Sequence, residues 1–251
     1  MVIGGGLLLV VLDRIGVRGG FIVLAAASFV LALPLFAVRE SPPAIVAAAS
    51  GPTVKPPHFL SLRGAGTVLL VVATFKIAES LAAGVFKPFL IDRGFSLTDL
   101  GAVSGIAGST GGALGALTGG VLASRLGRRP ALVSAAIFQT ATVFLFAIAV
   151  VAHFGKGALA GICFVEAFAS SMATATLFTV MMDWCRPIVG ATDYTVQASA
   201  VVIASGLATL FAGRLADAVG YATHFTIAGI VGVGAVGVLV YAYPRHAPAP
   251  R

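Results

Sequence analysis

The chain has 251 residues, of which 59% are hydrophobic and 10% charged, and its formal net charge is +7. A soluble domain carries about 25% charged residues, so this composition excludes an ordinary water-soluble protein. Long apolar runs favour transmembrane α-helices, because a helix satisfies its own backbone hydrogen bonds in hydrocarbon. The basic residues are scattered, with Arg125, Arg128 and Arg129 as the one tight cluster. The sequence therefore predicts a lipid bilayer as partner and no nucleic acid.

In chain order, the first apolar stretch covers residues 2–12, about half the length of a membrane span, and ends at Asp13 and Arg14. We interpret it as the end of a helix whose beginning is missing, so further N-terminal helices are expected in the full-length protein. Later segments each approach the roughly 20 residues that a bilayer requires. They lie near residues 20–38, 64–87, 98–123, 131–152, 157–182, 194–213 and 225–243.

A linker is predicted between Arg39 and Arg63, because its prolines disfavour a continuous helix. Residues 96–99, Ser-Leu-Thr-Asp, have the pattern of a capping box that opens the helix of the span near 98–123. Asp193 is expected to cap the start of a later helix.

A short pattern, Gly-x-Leu-Ala-Asp/Ser-x-x-Gly, recurs along the chain. It is complete at residues 120–127 and 213–220 and partial at residues 12–16. Consecutive copies lie three helices apart, which predicts a three-helix repeat of the kind from which many transporters are built.

Three ionisable side chains lie well inside predicted spans: Lys76, Glu79 and Glu166. Each costs roughly 2.5–3.5 kcal/mol at a helix centre, so such residues usually face a cavity or a partner. Lys76 and Glu79 are three residues apart and can pair locally. They form either a structural ion pair or, with Glu166, the polar wall of a substrate or proton path. Glu166 must be hydrated, protonated or placed against Lys76.

Glycines at several four-residue spacings fill the span near 98–123 and predict a close helix crossing, which includes Gly112. No spacing of histidines or cysteines matches a catalytic or metal-binding motif. The sequence therefore predicts no enzyme, no catalytic residue, no metal site and no cofactor. Ser170 and Ser171 have no histidine nearby in the sequence and lie among small residues, so helix packing explains them better than catalysis.

Residues 120–133, GGVLASRLGRRPAL, resemble the signature loop of the major facilitator superfamily, which follows the second helix of each six-helix half. Ser124 stands where the family's pattern has Asp. The resemblance is carried by Gly120, Leu122, Ala123, Arg125, Gly127, Arg128 and Arg129. Independently of this resemblance, the three arginines predict a cytoplasmic anchor.

A narrower resemblance is to AmpG-type muropeptide permeases. Residues 75–101, FKIAESLAAGVFKPFLIDRGFSLTDLG, resemble their seventh helix and the following loop, and residues 163–205 resemble their tenth helix and the start of the eleventh. Residues 192–198 look closer to AmpG relatives that are proposed to import siderophores of the rhizobactin and pyochelin kind.

The resemblance implies an all-α, polytopic transmembrane bundle, the C-terminal six-helix half of a major facilitator fold preceded by one and a half helices. Residues 1–38 would end the N-terminal bundle, residues 39–63 would form the central cytoplasmic linker, and residues 64–251 would form the C-terminal bundle. It also implies a permease of the inner membrane that moves a small polar solute by alternating access, as a proton symporter. The alternative is a non-transporting membrane assembly protein of the same fold, or an inactive truncated product.

Overall fold

The computed structural model describes residues 57–244. Nearer the start of the chain it also describes residues 19–23, 25–26, 28–30 and 33, and these earlier residues are all helical. The predicted half-span at residues 2–12, the first partial copy of the repeat and most of the predicted linker lie outside the described residues.

The described chain folds into long helices joined by short turns. After a 3₁₀ turn at Phe59–Ser61, the helices are α1 (Ala65–Asp92), α2 (Leu97–Ala102), α3 (Gly108–Arg125), α4 (Arg128–Val151), α5 (Lys156–Asp183) and α6 (Gly190–Ala242). A π-helical turn at Val103–Ala107 joins α2 to α3, so that these two form one continuous apolar span. Of the described helices, five spans are long and apolar enough to cross a membrane. The prediction of an all-helical transmembrane bundle is confirmed.

Helix α6 contains one break. Gly220 has φ 77° and ψ 162°, which is not helical, and it divides α6 into arms at residues 190–219 and 221–242. The predicted spans 194–213 and 225–243 fall on these two arms. The predicted helix end near residue 213 is wrong, because the helix continues to the glycine.

The same backbone conformation explains why the short pattern recurs. Gly127, between α3 and α4, has φ 84° and ψ 166°, almost the values of Gly220. Both glycines close a complete copy of the pattern, and a positive φ of this kind is open mainly to glycine. The repeat thus marks equivalent corners of the fold.

Polar contacts join the turns at each end of the bundle. We call the end formed by residues 57–64, 126–127, 184–189 and 243–244 the arginine end. At the other end, the Arg93 guanidinium donates to the Val150 carbonyl at 2.8 Å, and the Tyr221 hydroxyl donates to Asp92 at 2.7 Å. The predicted capping box is confirmed there, since the side chains of Ser96 and Asp99 each accept from the other's backbone N–H.

Helices α3 and α5 pack backbone against backbone. A Cβ added to Gly115 would lie 2.0 Å from the Phe168 carbonyl oxygen, and one added to Gly119 would lie 2.6 Å from that of Met172. At Gly112 the added atom would meet the Ser171 hydroxyl at 3.0 Å. The close crossing that the glycine pattern predicts is therefore present, and its tightest point is Gly115.

Gly115→Ala is expected to lower the free energy of unfolding by about 1–3 kcal/mol, because the methyl group forces two backbones apart. Gly161→Ala on α5 is the matched control, since no atom lies within 4 Å of its added Cβ. Thermal unfolding in detergent, followed by the fluorescence of Trp184, measures both. Equal Tm values for the two variants would contradict the close crossing.

The topology predicts that the two ends of the bundle face opposite sides of the membrane. Single cysteines at Ser61, at the arginine end, and at Gly155, at the other end, both lie at exposed positions. In a Cys163→Ala/Cys185→Ala background, an impermeant thiol reagent should label Ser61→Cys only from the cytoplasmic face and Gly155→Cys only from the opposite face. Labelling of both from one face would contradict this topology.

Candidate functional site

A polar layer crosses the middle of the bundle. Two clusters of buried apolar side chains lie on either side of it, and their members on α1 end at Phe75 and resume at Leu81. The same gap occurs on α4 between Ala136 and Val143, and on α5 between Cys163 and Met172. All three ionisable residues that the sequence singled out fall within this layer.

Lys76 and Glu79 form an ion pair one helical turn apart on α1. Their side chains are only 12% and 15% exposed. Two hydroxyls of α5 complete the pair: the Lys76 ammonium donates to Thr174 at 3.0 Å, and Ser170 donates to the Glu79 carboxylate at 2.7 Å. The sequence interpretation, which assigned Ser170 to packing, missed this hydrogen bond of its hydroxyl to a buried charge.

Glu166 lies one turn before Ser170 on α5, but it makes no salt bridge with any described residue. Its carboxyl lines a cavity of about 40 Å³ whose other walls are apolar. These walls are formed by Ala82, Ala83, Phe86, Phe146 and Phe225. Glu79 and Lys76 are within electrostatic range of Glu166, so the structure brings the three charges into one layer without direct contact to Glu166.

The sequence interpretation missed Gln139 on α4. This side chain is 7% exposed and lines a second small cavity together with Glu79. Neither of its amide atoms has a hydrogen-bond partner among the described residues. An amide in the middle of an otherwise apolar span was the signal in the sequence.

The signature loop is at the arginine end, away from the polar layer. Arg128 forms a salt bridge with Asp183 at the end of α5, and Arg129 donates to the Val240 carbonyl at 2.7 Å. Arg125 makes no ion pair with a described residue, and Gly120 has open space beside it. The contacts of Arg128 and Arg129 tie α4 to the ends of α5 and α6.

The prediction that Asp193 caps the start of α6 is wrong, because the residue at the N-cap position is Val189. The Asp193 carboxylate is fully buried and accepts from the Arg186 guanidinium at 2.7 and 2.8 Å. These hydrogen bonds raise the pKa of Arg186. Arg186 also donates to the Pro57 carbonyl at 3.1 Å, so one charge pair ties the chain before α1 to the turn before α6.

Comparison with models of known protein families assigns this chain to a family. The model of the Major Facilitator Superfamily matches residues 1–192. The chain belongs to the Major Facilitator Superfamily. The resemblance noted from the signature loop is therefore confirmed, and membership in a family of transporters agrees with the prediction that the chain is not an enzyme.

The curated relatives are AmpG-type proteins. AmpG 4 of Rickettsia conorii, named as a transporter, is 26% identical over 183 residues, which is 73% of this chain and 44% of that protein. The Rickettsia felis protein of the same name is 25% identical over 183 residues, with the same coverage. The anhydromuropeptide permease of Escherichia coli K12 is 26% identical over 171 residues, 66% of this chain and 34% of the permease. The chain thus spans less than half the length of these relatives.

Removing one partner of the Lys76–Glu79 pair should cost more stability than removing both. Lys76→Ala strands a carboxylate that is largely shielded from water, which typically costs about 3–5 kcal/mol. The double variant Lys76→Ala/Glu79→Ala leaves no charge and should recover much of the loss. Unfolding by SDS, followed by Trp184 fluorescence, gives the free energies.

The exposed pair Lys156–Asp99, whose side chains are 56% and 46% exposed, supplies the control for this cycle. Lys156→Ala should change the unfolding midpoint little, because solvent screens such pairs. A double variant at residues 76 and 79 that is less stable than Lys76→Ala would show that the pair is not the reason for the loss.

Proposed function

We propose that the chain is the C-terminal part of a secondary active transporter that moves a small polar solute across the inner membrane by alternating access, coupled to protons. The observation that carries the proposal is the polar layer between α1 and α5. Lys76, Glu79 and Glu166 are held there inside an apolar bundle, where charged groups are expensive and are generally retained for function.

The relatives support the transport of a solute. Two of them are named as transporters and a third as an anhydromuropeptide permease. Within the proposal, the solute is a muropeptide or a siderophore. Both are rich in carboxylates, amides or hydroxyls, which the paired ammonium, carboxylate and hydroxyls of the polar layer can hydrogen-bond.

Glu166 is the proposed proton carrier. Lys76 and Glu79 neutralise each other, whereas Glu166 makes no salt bridge with a described residue. A carboxyl without a counter-ion in an apolar cavity is stabilised by taking up a proton and is charged again once water or a cation reaches it. Alternate exposure of the cavity to the two sides of the membrane would therefore load and unload one proton.

The domain division and the signature loop belong to the same proposal. Residues 1–38 would end the N-terminal bundle, residues 39–63 would be the cytoplasmic linker, and residues 64–251 the C-terminal bundle. The arginine end, with Gly120, Arg125, Gly127, Arg128 and Arg129, would face the cytoplasm. There the Arg128–Asp183 pair would hold α4 and α5 together while the two bundles move.

Glu166→Gln is expected to abolish uptake against a gradient and to leave exchange of solute between the two sides intact, because exchange needs no net proton movement. Asp217→Asn is the matched control, since Asp217 is an exposed carboxylate outside the polar layer. Membrane vesicles from cells that make the protein from its own gene are supplied from outside with a labelled anhydromuropeptide or, separately, a ferric siderophore of the pyochelin kind, and uptake of the label is measured.

The outcomes separate the candidates. Uptake of one labelled solute, and not the other, identifies the substrate class. Normal uphill uptake by Glu166→Gln would contradict the role of this residue as proton carrier. Uptake and exchange of neither solute, with the protein present in the membrane, would favour the alternative of a non-transporting assembly protein or an inactive truncated product.

A further inference from the structure

Gln139 is a side chain of the polar layer whose hydrogen bonding is incomplete. It lies on α4 and is 7% exposed, and its Oε1 and Nε2 atoms both lack a hydrogen-bond partner among the described residues. A buried polar group without a hydrogen-bond partner destabilises the folded state. A partner within reach of a small side-chain rotation is therefore to be expected.

Two acidic side chains flank this amide. Gln139 shares with Glu79 a cavity of about 10 Å³, which is close to the least volume that holds a water molecule. Gln139 also lies near the Glu166 carboxyl, although no hydrogen bond of normal geometry forms between them. Gln139 is thus the neutral group common to the surroundings of both carboxyls.

The other ionisable groups around Glu166 are few. Lys76 and Glu79 approach it from α1, and Cys163 lies on its own helix. Lys76 is already bound to Glu79 and Thr174. The described part of the bundle therefore offers the Gln139 amide as a polar partner for Glu166 that no other hydrogen bond occupies.

An amide suits a carboxyl that gains and loses a proton. Its Nε2 group donates to a carboxylate, and its Oε1 atom accepts from the O–H of the protonated acid. We propose that Gln139 is a positioning residue that hydrogen-bonds the Glu166 carboxyl in both protonation states and holds it between α4 and α5. This inference rests on the proposed function only in taking Glu166 as the group that changes its protonation.

Infrared difference spectroscopy tests the contact without transport. The full chain is placed in lipid nanodiscs, and spectra at alkaline pH are subtracted from spectra at acid pH. The carbonyl stretch of protonated Glu166 is assigned by its loss in Glu166→Gln. Gln139→Met replaces the amide by an apolar group of similar length, and it should shift that band to higher frequency, as for an acid without a hydrogen-bond partner.

Thr176→Val is the matched control, because Thr176 is buried and its hydroxyl donates to backbone carbonyls of its own helix, α5; the Glu166 band should stay in place in this variant. Gln139→Asn keeps the amide on a shorter side chain and should shift the Glu166 band less than Gln139→Met does. If Gln139→Met does not fold, the shift is measured in Gln139→Asn instead.

An unchanged band in Gln139→Met or Gln139→Asn would overturn the inference, and so would the absence of any titrating Glu166 band in the parent chain. A shifted band together with normal uphill uptake by Glu166→Gln would keep the contact and refute the proton-carrier role. Failure of this inference and failure of the proposed function are thus distinguishable.

Discussion

The helices of this bundle have to accommodate three ionisable side chains, Lys76, Glu79 and Glu166, in an apolar interior. Each of three ionised side chains at a helix centre would cost roughly 2.5–3.5 kcal/mol, and a typical domain is stable by only about 5–15 kcal/mol. The Lys76–Glu79 pair and its two hydroxyl partners on α5 offset this cost for two charges. The cost of the third charge, that of Glu166, is not offset by a salt bridge to a described residue.

The packing of α5 makes this arrangement geometrically possible. Residues 164, 168 and 172 contact the glycines of α3 through their backbone, whereas residues 170 and 174 bond the charges of α1. Positions two residues apart on a helix point about 200° from each other, so these are opposite faces. The glycines of α3 thus let that helix approach the backbone of α5 on one face, while the opposite face of α5 carries the hydroxyls that bond the charges of α1.

Much of the fold could be predicted from the sequence, because span length, the capping box at Ser96 and the glycine spacing each reflect a local rule. The length of the first arm of α6 could not be predicted. The recurring Gly-x-Leu-Ala pattern covers residues 213–220, and only the backbone shows that the helix continues through it to Gly220. Asp193 has the residue type of a helix cap, but its carboxylate is used by Arg186.

The three ionisable residues of the site could be found from the sequence, because a charged residue inside an apolar span is easy to see and is costly in a membrane. Their partners could not. Ser170 and Thr174 look like ordinary small residues, and their roles depend on how α5 is turned against α1. Gln139 is one of the two glutamines of the chain, and its importance becomes visible only when its amide is seen to be buried between two carboxyls.

Measuring the proton itself tests most directly whether the polar layer couples solute movement to protons. A pH-sensitive dye outside proteoliposomes that contain the protein reports proton uptake when an anhydromuropeptide is added without any imposed pH gradient. We predict that the outside becomes more alkaline as the solute enters and that Glu166→Gln removes this signal while solute exchange persists. Entry of the solute with no change of external pH would contradict it.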